Sequence, residues 1–130
     1  MKAGLAIPDF PLAFGRLIPP LVTPLIAVNF VHRLGALLVA LLVGWTAARV
    51  SAGVVALRRL ARLAVALVGL QITLGALTIW SARAVLPTTT HLVVGAALLA
   101  TCLVLTLRLG RLERVEAASL PATQLHRVLA

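Results

Sequence analysis

Three long apolar runs, about residues 24–49, 60–80 and 88–107, are separated only by short arginine-bearing breaks, and few folds accommodate that pattern. Each run reaches the ~20 residues that a helix rising ~1.5 Å per residue needs to cross a ~30 Å hydrocarbon core. Backbone polar groups in hydrocarbon must be satisfied within their own segment, so each run is expected to be helical. The fold class is therefore all-α, a polytopic membrane bundle of three transmembrane helices. Charged residues make up 12% of the chain, about half the ~25% of a soluble domain, which excludes an ordinary soluble fold. A mean hydropathy of +1.11 excludes disorder.

The net charge of +9 comes almost entirely from arginine. These arginines lie between apolar runs, with no aromatic-interleaved basic surface, so they read as topology determinants and not as a nucleic-acid face. With three alternating spans, the 49–62 connection and the tail share one side. That side carries Arg49, Arg58, Arg59, Arg62, Arg108, Arg111, Arg114 and Arg127, against Lys2, Arg16 and Arg83 on the other. The bias places the 49–62 loop and the C-terminal tail in the cytoplasm. Residues 1–23, rich in proline, form an outer loop; 24–109 form the bundle; 110–130 form the tail. Pro24 suits a first helical turn, Trp80 an interfacial anchor, and Ser81–Pro87 a tight turn. Thr88, Thr89 and Thr90 read as a cap for the third span, and His126 as an exposed tail residue. The N-terminus has no continuous apolar core of the signal-peptide kind. Cys102 is the only cysteine, so neither an internal disulfide nor a thiolate metal cage can form.

Two histidines interrupt the spans. His32 lies eight residues after Pro24 and His91 three after Thr88, so helices rising ~1.5 Å per residue place both in the outer half of the membrane. An imidazole in hydrocarbon is costly and points to function. Gly35 and Ala36 follow His32 at three and four residues, and Gly95 follows His91 at four, offsets that share the histidine's face. Small side chains there leave room for a flat macrocycle, and bis-histidine ligation of a heme iron fits the pair. The alternative is that the histidines hydrogen-bond helix to helix with no cofactor. Gln71, Gly75 and Thr78 form a further stripe on the middle span, with Gln71 at the depth of His32. Arg33, next to His32, is placed to snorkel outward or to meet an acidic group such as a heme propionate.

In order along the chain, Gly4–Gly15 (GLAIPDFPLAFG), His32-Arg33-Leu34-Gly35, Gln71–Thr78 (QITLGALT) and Thr90–Ala96 (THLVVGA) resemble the heme A synthases, membrane enzymes of cytochrome oxidase assembly. The resemblance covers roughly residues 3–109. It implies one half of a protein built from two four-helix halves, one holding the heme O that is oxidised to heme A, the other a heme b that relays electrons. His32 and His91 fall on the paired ligand positions of such a half. The substrate half carries a glutamate three residues before its first histidine, where this chain has Asn29. An amide does not ionise, so the resemblance points to the cofactor half, with heme b held by His32 and His91, no catalytic residue of its own, and Arg33, Gly35, Gln71 and Gly95 lining the site. It further implies an incomplete four-helix half-bundle lacking its first span, paired with a missing N-terminal half or a second copy within the lipid of a prokaryotic plasma membrane. Such a chain is expected not to convert heme O to heme A alone. The competing functions are a non-catalytic b-type heme protein and a cofactor-free packing subunit.

Overall fold

A computed structural model describes residues 6–20, 22–82 and 84–119. Three helices follow an N-terminal loop: α1 (Pro24–Gly53), α2 (Arg58–Trp80) and α3 (Val85–Ser119). All three are long and apolar enough to cross a membrane, and no strand is present among the described residues. Lys2, Arg83, His126 and Arg127 lie outside the described residues.

Each helix outruns its apolar stretch. Thr23 caps α1, its hydroxyl accepting from Ile26 N at 3.4 Å, and Pro24 follows in the first turn, where a missing N–H costs nothing. Arg49 does not end α1, because arginine is a good helix former and its charge can reach water from inside a helix. The helix continues to Gly53, and a single 3₁₀ turn, Val55–Leu57, leads into α2. The 49–62 connection is thus mostly helix, with only residues 54–57 between α1 and α2. The 81–87 turn is also shorter, since α3 takes Pro87 into its first turn.

That early start corrects the capping role expected for Thr88–Thr90. Thr88 Oγ1 donates to the Ala84 carbonyl at 2.9 Å and Thr90 Oγ1 to Leu86 at 2.8 Å, as residues inside a helix do. Thr73, Thr78, Thr101 and Thr106 bond back in the same way, so each hydroxyl is satisfied without leaving its helix. At its far end α3 runs unbroken through Gly110 to Ser119, about 50 Å at ~1.5 Å per residue, so its last turns extend past a ~30 Å core.

The middle helix is the hub. α2 packs on both α1 and α3, which have little direct contact with each other. The residues α2 buries are Ala61, Ala64 and Ala76, small enough for backbones to approach closely. At the arginine-rich end Ala47 and Val50 of α1, Leu57, Ala61 of α2 and Leu105 of α3 form one cluster. Large apolar side chains point outward instead, among them Trp45 (67% exposed) and Leu99 (72%). Small residues inside and large ones outside is the arrangement of a helix bundle solvated by lipid tails, and the protein is a multi-pass membrane protein.

The α2–α3 turn closes through Ser81 N donating to Leu77 O (2.8 Å) and Ala82 N to Ile79 O (3.0 Å). Ala82 sits at φ 50°, left-handed backbone that glycine occupies without penalty. Ala82→Gly should therefore stabilise the protein by up to ~1 kcal/mol, read as a higher unfolding midpoint in detergent. An unchanged or lowered midpoint would show that this turn stores no strain.

Candidate functional site

The end of the bundle opposite the arginine-rich corner is covered by the N-terminal loop. Ala13 and Arg16 pair through two backbone hydrogen bonds (2.8 and 3.1 Å), with Phe14 at φ 56° and Gly15 at φ 70° between them. Two left-handed residues in succession make a primed tight turn and aim their N–H groups the same way. The Asp9 carboxylate accepts both, from Phe14 N at 2.8 Å and Gly15 N at 2.9 Å. These two donors hold the Asp9 carboxyl below its ordinary pKa of 3.8, with a smaller contribution from the Arg33 charge. Ile7 and Ala13 then pack on Ile26 and Phe30 of α1, seating the loop on the helix.

Arg33 fastens this loop. Its Nη1 donates to Leu12 O at 2.8 Å, and its Nη2 to Asp9 O at 2.8 Å and Ile7 O at 3.2 Å. The guanidinium also lies over the Phe10 ring at 5.8 Å. Phe10 in turn meets Trp80 edge-on, centroids 6.3 Å apart, which ties the loop to the end of α2. Both terminal nitrogens of Arg33 are thus engaged by loop carbonyls, while its buried Nε has no hydrogen-bond partner.

His32, one residue earlier on α1, is exposed, and nothing lies within 4 Å of the point where a Gly35 Cβ would stand. His91, on α3, is partly buried against α2. The amide Nε2 of Gln71 lies 3.3 Å from His91 Nε2, so the amide donates to the ring nitrogen when that nitrogen is unprotonated. Two glycines make the pairing fit. A Cβ on Gly95 would stand 3.0 Å from Gln71 Nε2, and one on Gly75 would stand 3.3 Å from His91 Cε1. His91 Nδ1 and Gln71 Oε1 remain buried without partners.

The structure therefore gathers Gln71, Gly75, Gly95 and His91 at one α2–α3 contact, while His32 is exposed on α1 and outside that contact. Arg33 and Gly35 lie beside His32, Arg33 directed to the loop. No group of three or more metal-ligating side chains occurs among the described residues; a bis-histidine site needs only two. The donor set suits an iron with two imidazole ligands: one ring is open, the other has a buried nitrogen with no partner. Ligation through Nδ1 of His91 would keep the Gln71 contact; ligation through Nε2 would exchange it. The Asp9 and Arg33 clamp was not foreseen as a unit. Its sequence signal is the Asp9–Gly15 spacing alone, which does not point to a residue on α1.

Replacing Arg33 by leucine leaves three loop carbonyls without their donor and should cost about 2–3 kcal/mol of loop stability. Faster hydrogen exchange and proteolysis confined to residues 7–16 would register it, and an unaltered exchange pattern would exclude the clamp. The Asp9 contribution has a pH sign. A carboxyl held below its ordinary value stabilises the fold fully above pH 3.8, and that support is lost as pH falls through the lowered folded-state value. Trp80 fluorescence should follow this loss in acid, and Asp9→Asn should remove the dependence.

A family model described as cytochrome oxidase assembly protein matches residues 1–104. A curated heme A synthase from Symbiobacterium thermophilum is 45% identical over 80 residues, which cover 59% of this chain and 26% of the relative. The aligned part thus spans about a quarter of that relative's length. No solved structure gives a significant match. The matched residues take in the clamped loop, all of α1 and α2, and both histidines, and the chain belongs to the cytochrome oxidase assembly protein family, the heme A synthase family.

Proposed function

We propose that the chain is the heme-binding, electron-relay half of a heme A synthase-type oxidoreductase, with His32 and His91 as the two axial ligands. The observation that carries the reading is the buried, unpartnered Nδ1 of His91 on α3, in a bundle whose α1 presents a second, exposed imidazole at His32. A buried polar atom with no partner is costly, and a ligand that supplies one removes the cost. When bound between two imidazoles, a heme b supplies one-electron transfer without a site for oxygen.

The residues divide the remaining work. Gln71 fixes the tilt of His91, and Gly75 and Gly95 keep that contact free of side chains. Gly35 leaves the face beside His32 open. Arg33 holds the loop across the outer end of α1. Asn29, three residues before His32 on the same helix face, offers an amide where an acid–base group would be needed, which favours electron relay over oxidation of a substrate heme. The remainder of the enzyme, contributed by another half or a second copy of the chain, would carry the substrate chemistry, so the chain alone is not expected to turn over. The excess of arginine at the far end favours a cytoplasmic placement of that end in the plasma membrane.

The test is an absorption spectrum of the detergent-purified full chain loaded with heme b. Sharp, redox-sensitive low-spin bands are expected, and each of His32→Ala and His91→Ala should abolish them while helix content stays unchanged. Retention of the low-spin spectrum in either variant would overturn bis-histidine ligation. Failure of the native chain to bind heme would leave the histidines as packing groups.

A further inference from the structure

At the arginine-rich end, α1 and α2 part around a groove of about 320 Å3, at the lower edge of the ~300–1,000 Å3 typical of ligand pockets. Gly44, Ala47, Ala48 and Val65 give it apolar walls within the spans, and Ser51 and Arg62 line it on the side of the α1–α2 connection. Arg58 reaches across that connection, its Nε donating to Ser51 O at 2.7 Å, and Arg62 Nε donates to Arg58 O at 3.4 Å. Arg49 and Arg59 are exposed on the same two helices.

Arg62 and Arg58 thus stand at one end of an apolar groove, and neither helix carries a carboxylate to balance them. No acidic residue occurs between Asp9 and Glu113, and Glu113 and Glu116 belong to the last turns of α3, not to the walls of the groove. The positive end of the α2 dipole adds to the imbalance, since its N-cap, Leu57, contributes no side-chain acceptor and the first turn holds no acid. Arginines that only set topology need positive charge on one side of the membrane and no groove. An amphiphile with one anionic phosphate and an apolar chain satisfies both the charge and the walls.

We propose that this groove binds one anionic phospholipid, its acyl chain against Gly44, Ala47 and Ala48 and its phosphate between Arg58 and Arg62. The site stands apart from the histidines and does not depend on heme binding.

Native mass spectrometry of the full chain, titrated with dioleoyl phosphatidylglycerol or dioleoyl phosphatidylcholine, tests it. One retained phosphatidylglycerol per chain is expected, in preference to phosphatidylcholine. Arg62→Gln should weaken its retention about fivefold, the factor equivalent to ~1 kcal/mol per arginine at an anionic lipid. Gly44→Leu keeps the charge but fills the groove, there being open space where its side chain begins, and should abolish retention. Arg111→Gln, on α3, should leave it unchanged, and millimolar inorganic phosphate should not displace the lipid. Circular dichroism confirms that each variant keeps its helices. Equal retention of the two lipids, a Gly44→Leu chain that still prefers phosphatidylglycerol, or displacement by phosphate alone would each overturn the proposal, the last two by reducing it to diffuse charge or a bare anion site.

Discussion

One guanidinium reconciles the irregular and the regular parts of this protein. A proline-rich loop cannot pair its own carbonyls as a helix does, and beside a membrane an unpaired carbonyl is costly. Arg33 supplies donors to three of them from inside α1, at residues 7, 9 and 12. That fixes Phe10 where it can meet Trp80, so a contact made by α1 also holds the end of α2. The Asp9 carboxylate completes the arrangement by stabilising the left-handed pair Phe14–Gly15 that turns the loop back. An acidic residue at this point strengthens the clamp through its charge as well as its hydrogen bonds, yet it forms no ion pair with Arg33: the guanidinium bonds the Asp9 backbone carbonyl.

The same logic of close approach governs the helices. In lipid there is no hydrophobic drive to bring helices together, so packing depends on small residues and a few polar contacts. α2 supplies both, burying alanines along its length and placing Gln71 against His91 where Gly75 and Gly95 make room. Because α1 and α3 rest on α2 and touch each other little, the separation of the two histidines is set by how each outer helix sits on the middle one. Changes on α2 well away from either histidine should therefore alter their spacing more than changes on the outer helices do.

Much of this was legible in the sequence, for a physical reason. Crossing a bilayer requires long uncharged segments, so hydropathy alone located all three helices. Their ends were less legible because charge does not end a helix: α1 passes Arg49 and stops only after Gly53, and α3 absorbs Pro87 and Gly110 without a break. The stripe Gln71, Gly75, Thr78 was visible as spacing on one helix, but its pairing with His91 and Gly95 needs the crossing of α2 and α3, which spacing within one helix does not encode. The loop clamp was hidden for a similar reason, since Arg33 and its carbonyl partners are separated by more than twenty positions and backbone acceptors leave no mark in the sequence.

The histidines and the loop are best understood together. His32 and Arg33 are neighbours on α1, so their side chains leave the helix about 100° apart, and a single segment both presents an imidazole and anchors the loop. Any displacement of the loop pulls on the residue next to His32, and any rotation of α1 that moves His32 also strains three hydrogen bonds to the loop. Coupling of this kind ties the backbone at His32 to the loop, whereas the His91 ring is held by packing against α2. The two histidines are thus constrained by different means, the His91 ring by an amide partner and two glycines, the backbone of His32 by its covalent neighbour's grip on the loop.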